Sequence, residues 1–290
     1  MIERCRSLFM VRSVGWKVIG LVLLVQIIAT VSLNLWIFPA EILTPIQTGS
    51  RGLIPVTLVA NLLLMLIVFP MIFYLGDLKA VDLALVPAGG FGPSSIAIGA
   101  VWTGVAWLIV HAASLIYVVA SLGTLQFNDL WFTPEGGEWL GRSIGQFFGN
   151  AFFEEVLFRA FLIPQFLLLL KKRYRKWSWG KCLFLALLAS QLIFAATHIP
   201  HQINTGMYSG FVSFLADQTF LLLSGLLLSA VFLLSCNIYA AIGVHALANF
   251  TPMLIPTPMD ELSLTAYLVV PVLFAYNAWA AKKPKPSVKN

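Results

Sequence analysis

The sequence predicts an all-α protein, a polytopic transmembrane helical bundle of about eight spans with N- and C-termini cytoplasmic. Three observations carry this. The 290 residues are 59% hydrophobic and only 10% charged, with a mean hydropathy of +0.89, whereas a soluble globular chain carries about 25% charged residues. Apolar windows of about 20 residues, the length that crosses a bilayer core as a helix, recur along the whole chain. Between them the basic residues fall in short blocks, the pattern that orients membrane proteins. The net charge of +6 is therefore a topology signal, and no nucleic-acid partner is expected. No repeat period or biased tract divides the chain, so residues 1–290 read as a single integral membrane domain.

Taken in order, the windows lie near 17–38, 52–75, 95–122, 143–170, 181–199, 210–234, 236–252 and 262–281. The first is too long for a signal-peptide core and lacks a small-residue cleavage site, so it reads as an uncleaved span. Arg4, Arg6, Arg12 and Lys17 precede it and put the N-terminus in the cytoplasm. Three crossings later the acidic loop Asp129 to Glu138 falls outside. The strongest basic block, Lys171-Lys172-Arg173-Tyr174-Arg175-Lys176, then returns inside, as does the tail with Lys282, Lys283, Lys285 and Lys289. Cys5, Cys182 and Cys236 fall at cytoplasmic ends, where disulfides rarely persist. Their spacing matches no zinc motif, so they read as small buried or interfacial side chains.

The fourth window breaks its own rule. It contains Asn150, the doublet Glu154-Glu155 and Arg159. A charged side chain at the bilayer centre costs roughly 2.5–3.5 kcal/mol on insertion scales, so such groups are normally paired and functional. On a helix Glu155 and Arg159 meet on one face in the favourable order for an ion pair. Glu154 lies about 100° around the helix and stays available for another task, with Asn150 one turn before it. An ion pair that only locks packing is the competing reading, and the second carboxylate counts against it.

Two of the four histidines also fall in spans with polar company. Gln191, Phe194 and His198 recur at helical spacing, and His245 and Asn249 point the same way four residues apart. Singly, each has a plain explanation as a snorkelling or helix-bridging group. Together Glu154, Glu155, Arg159, His198, His245 and Asn249 come from three spans, and one hydrated pocket explains them all. His111 reads as a hydrogen-bonded core histidine and His201 as an outer-loop residue. Asp217 and Gln218 divide evenly between the interface and the pocket mouth.

A Glu and a His converging on one water form a general base, and a second His with an Asn can donate to a developing oxyanion. That set suits amide hydrolysis without a covalent intermediate. No serine or cysteine stands in a nucleophile motif. Glu154, His198 and His245 also have the chemistry of a three-ligand zinc site, and the residues alone leave that open.

The ordered motifs Glu154-Glu155-x-x-x-Arg159, Phe194-x-x-x-His198 and His245-x-x-x-Asn249 resemble the CPBP family of intramembrane proteases, also called the type II CAAX prenyl endopeptidase or ABI family. The resemblance covers about 143–255, the expected catalytic core. It implies a glutamate-dependent, metal-independent endopeptidase with no cofactor. Glu154 and His198 would activate water, and His245 and Asn249 would form the oxyanion hole. Glu155 and Arg159 would support the site, with Arg159 in reach of a substrate carboxylate. Partners would be the lipid bilayer and a peptide or membrane-anchored protein, lipidated proteins included. A bacterial plasma membrane is the expected home. The alternatives are a zinc-dependent membrane peptidase, a non-catalytic immunity or scaffold protein and, more remotely, a transporter. One tension stands: the topology reaches Glu154 from the outer side, whereas the prenyl proteases it resembles act on cytosolic substrates.

Overall fold

Eight helices stand where the apolar windows fall. The structure, a computed structural model, describes residues 9, 11–86, 93–122, 127–133, 136–255 and 263–282. Arg4, Cys5, Arg6, Lys283, Lys285 and Lys289 lie outside them. Among the described residues every regular element is helical, as hydrocarbon demands of a chain that must satisfy its own backbone groups. Six helices are long and apolar enough to cross a membrane: α1 (Trp16–Ile37), α2 (Val56–Leu75), α3 (Ser95–Ser121), α5 (Trp179–Asn204), α6 (Phe211–Ser235) and α8 (Ser263–Ala281).

The other two differ, and they carry most of the polar set. Helix α4 runs unbroken over 136–173. That is roughly 55 Å at an α-helical rise, well beyond a hydrocarbon core of about 30 Å. Helix α7 (Ile238–Asn249) has 12 residues and reaches only about 18 Å. The expected span over 236–252 is therefore a short inner helix. All of its residues except Tyr239 and Asn249 are buried, the environment a helix that is apolar all round requires. It lies tightly against α3, because a side chain at Gly243 would collide with Thr103. Small residues permit such close approach between membrane helices.

Past α7 the chain runs extended, and His111 on α3 holds it. Leu254 N–H donates to His111 Nε2 at 3.2 Å, and His111 Nδ1 donates to the Trp107 carbonyl at 2.9 Å. The expected hydrogen bonding of His111 is present, but the residue is half-buried rather than in the core.

Contacts between distant segments show which helix ends lie together. Arg12 pairs with Asp77, and Val14 N–H donates to Gln165 Oε1 at 2.8 Å. Asn237 Nδ2 donates to the Ser95 carbonyl at 2.7 Å, and Asn277 Nδ2 to the Leu234 carbonyl at 2.9 Å. At this end stand Arg12, Lys17, Lys79, the Lys171–Lys176 block, Lys181 and Lys282. At the opposite end Asn249 meets Gln146 and Arg142 lies over the Phe250 ring. The basic residues there, among those described, are Arg51 and Arg142, beside Glu41, Asp129, Glu138 and Asp217. The cysteines divide: Cys182 is free and buried, as expected, whereas Cys236 is disulfide-bonded, against the expectation that disulfides rarely persist at these ends.

Candidate active site

Helix α4 departs from α-helical winding on both sides of the glutamates. Gln146–Asn150 and Glu155–Leu162 are π-helical, and Ala151–Glu154 between them is a single α-helical turn. π-Turns are rare and gather at functional sites. A regular α-helix, as read from the sequence, would separate the two glutamates only by angle. Here they also differ in depth, since the Glu154 side chain is 13% exposed and that of Glu155 is fully buried.

Glu155 sits in a closed polar knot. Its Oε1 lies 3.0 Å from Arg159 Nη1 and 2.7 Å from His245 Nδ1. Arg159 Nη2 donates to the Gly225 carbonyl at 3.3 Å, and the guanidinium lies 4.4 Å over the Phe194 ring. Helix α6 comes this close because residue 225 is glycine. A Cβ there would stand 2.6 Å from Gln191 Oε1. The expected Glu155–Arg159 pair is present, while the tie from Glu155 to His245 had no signal in the spacing. Arg159 has no exposed surface and does not line the cavity described below, so the expected reach towards a substrate carboxylate is corrected: Glu155, Phe194 and α6 enclose it.

Glu154 faces the other way. Its Oε1 lies 3.9 Å from His198 Nε2 and its Oε2 lies 3.5 Å from His245 Nε2. Each distance is a contact rather than a direct hydrogen bond. His198 ends the α-helical part of α5, and its Nδ1 donates to the Phe194 carbonyl at 2.8 Å. A carbonyl can only accept, so Nδ1 carries a proton, and Nε2 is the ring nitrogen that faces Glu154. The side-chain oxygen Glu154 Oε2 has no hydrogen-bond partner.

Glu154 and His198 stand at the floor of a cavity of about 690 Å³. Glu154, His198, Asn150 and Asn249 line it together with Gln146, whose Oε1 accepts from Asn249 Nδ2 at 3.0 Å. Two walls come from helices without any recognised motif: Gln26, Thr30 and Asn34 on α1, and Thr57 and Asn61 on α2. Gln26, Thr30 and Asn34 recur every fourth residue in an otherwise apolar span, a signal the sequence did hold. The structure thus brings all six expected residues together, with Glu154, His198 and Asn249 at the cavity and Glu155, Arg159 and His245 behind it. His201, expected in an outer loop, is helical and lines the cavity. Asp217 stays outside it and braces the turn after His198, accepting from Gln202 Nε2 at 3.2 Å and from Tyr208 at 3.0 Å. Among the described residues no group of three or more His, Cys, Asp or Glu side chains forms a cation-holding cluster.

A family model described as Type II CAAX prenyl endopeptidase Rce1-like matches residues 136–251. The match takes in α4 to α7 and leaves α1 to α3 and α8 outside. No curated protein and no solved structure matches the chain.

Proposed function

We propose, from the match of residues 136–251 to the Type II CAAX prenyl endopeptidase Rce1-like family model, that this integral membrane protein is an endopeptidase using Glu154 as the general base. The family is one of membrane-embedded proteases acting on protein substrates. The observation that carries the finer reading is Glu154 at the cavity floor, between the Nε2 atoms of His198 and His245. A water there can donate one hydrogen to His198 Nε2 and the other to Glu154. Its oxygen attacks the scissile carbonyl carbon, and Glu154 takes the proton. As the carbon–nitrogen bond breaks, Glu154 returns that proton to the leaving amine.

The carbonyl oxygen becomes an oxyanion and needs donors. Asn249 Nδ2 has two hydrogens and gives one to Gln146, leaving the second for the oxyanion. His245 can join it from Nε2 only as a doubly protonated ring, because its Nδ1 proton is held by Glu155. Glu155 and Arg159 act as positioning residues: Glu155 holds His245, and Arg159 pairs with Glu155. Residues 143–255 are the proposed catalytic core.

The test is a comparison of protein termini in membranes of cells carrying wild-type or Glu154→Gln protein. New termini present only with wild type, at a consistent bond, are expected. Equal termini in both would sink the general-base reading. A Glu154→Gln protein that retained full biological effect would favour a non-catalytic immunity or scaffold role.

A further inference from the structure

We propose that the cavity opens on the membrane face away from the cytoplasm, so that the substrates are peptide segments presented from that face. The statement about substrates rests on the peptidase reading; the statement about the opening does not. Two independent observations carry it. The first is charge. Arg12, Lys17, Lys79, the Lys171–Lys176 block, Lys181 and Lys282 share one end of the bundle, against Arg51 and Arg142 at the cavity end. Lysine and arginine near the ends of spans set orientation, and the excess side is cytoplasmic. Ten described basic residues against two is a strong bias.

The second is access. On the basic side of Glu154 every residue from Glu155 to Leu167 is buried. Those thirteen residues amount to roughly 20 Å of helix at an α-helical rise, with the Glu155–Arg159 knot packed inside. The cavity therefore has a sealed floor towards the basic end. Its mouth is at the other end, where Glu41 and Asn204 are exposed lining residues and Thr44 is half-buried. The walls between mouth and floor carry Thr30, Asn34, Asn61 and Asn150. Uncharged amides and hydroxyls of this kind can meet the backbone donors and acceptors of an extended peptide.

One feature pulls the other way. Cys236, at the basic end, is disulfide-bonded, and disulfides belong to oxidising compartments. A single sulfur bridge is a weaker orientation signal than the charge bias of ten basic residues against two.

Single cysteines are introduced at the mouth (Asn204→Cys and, separately, Thr44→Cys) and at the basic end (Lys176→Cys). The background is full-length protein with Cys5, Cys182 and Cys236 replaced by serine. Each variant is checked for a monodisperse detergent-solubilised peak, and a membrane-impermeant maleimide is applied to intact cells and then to permeabilised ones. The expected result is labelling of Cys at 204 and 44 in intact cells, and of Cys at 176 only after permeabilisation. The opposite pattern overturns the proposal, as does labelling of all three sites from one side. Two mouth positions guard against one variant failing to fold. The labelling is expected to be the same with Glu154→Gln added. Loss of the orientation and loss of the peptidase reading are thus separable results.

Discussion

The two π-helical stretches of α4 use one backbone device for opposite ends. In Gln146–Asn150 the widened turn presents Gln146 and Asn150 to a cavity. In Glu155–Leu162 every side chain is buried, and the turn delivers Glu155 and Arg159 into the core. Glu154 and Glu155 fall on either side of the boundary between a wetted and a sealed region. The comparison teaches that neighbouring carboxylates of identical chemistry divide their work by what surrounds them. One faces an open cavity. The other is held by a histidine and an arginine, and removing it leaves a charge with no answer.

The comparison breaks most sharply in the sealed half. Glu155→Gln leaves Arg159 buried without its carboxylate, and breaking a buried pair in this way costs about 3–5 kcal/mol. Thermal unfolding in detergent should show a large downward shift, absent for substitutions at the cavity surface. An unchanged midpoint would mean that the knot around Glu155 contributes no stability. In the open half, Asn249→Ala should lower kcat by about 10²–10³, the loss seen when one oxyanion donor is removed. Its unfolding midpoint should barely move, because Asn249 is exposed at the end of α7. A fall in stability without a fall in kcat would reassign Asn249 to packing.

A smaller effect tests the contact that encloses Arg159. Gly225→Ala puts a methyl within 2.6 Å of Gln191 Oε1 and 3.1 Å of the Phe194 ring, and overpacking of this kind costs about 1–3 kcal/mol. A thermal midpoint lower than wild type, with kcat per folded molecule retained, is the expected outcome. Smallest of all should be a chelator: incubation with EDTA followed by cleavage assay should leave the rate unchanged. Loss of activity restored by added zinc would instead favour a metal held by Glu154, His198 and His245.

Much of this was legible in the sequence because hydropathy and charge act at the scale of whole helices. The eight apolar windows locate eight helices, and the cost of charge in a bilayer singled out Glu154, Glu155 and Arg159. Helical spacing then paired Glu155 with Arg159. What spacing could not carry was winding. The π-turns re-aim Glu154 and Glu155, and nothing in the residue types of 155–162 announces them. The tie between Glu155 and His245 spans 90 residues, and only tertiary packing creates it. The length of α7 is not legible in the sequence, because an apolar run looks the same in lipid as inside protein. The polar ladder Gln26, Thr30 and Asn34 was readable, yet it faces a site whose chemistry lies on other helices.

The central claim is that Glu154 does the chemistry while Glu155 holds the structure. It is tested most directly by measuring cleavage per folded molecule for reconstituted Glu154→Gln protein beside wild type, on a substrate found by the termini comparison. The expected result is a protein that unfolds at the wild-type midpoint and has lost at least about 10²–10⁴ in rate, the range attributed to a general base. Cleavage by folded Glu154→Gln at the wild-type rate would contradict it.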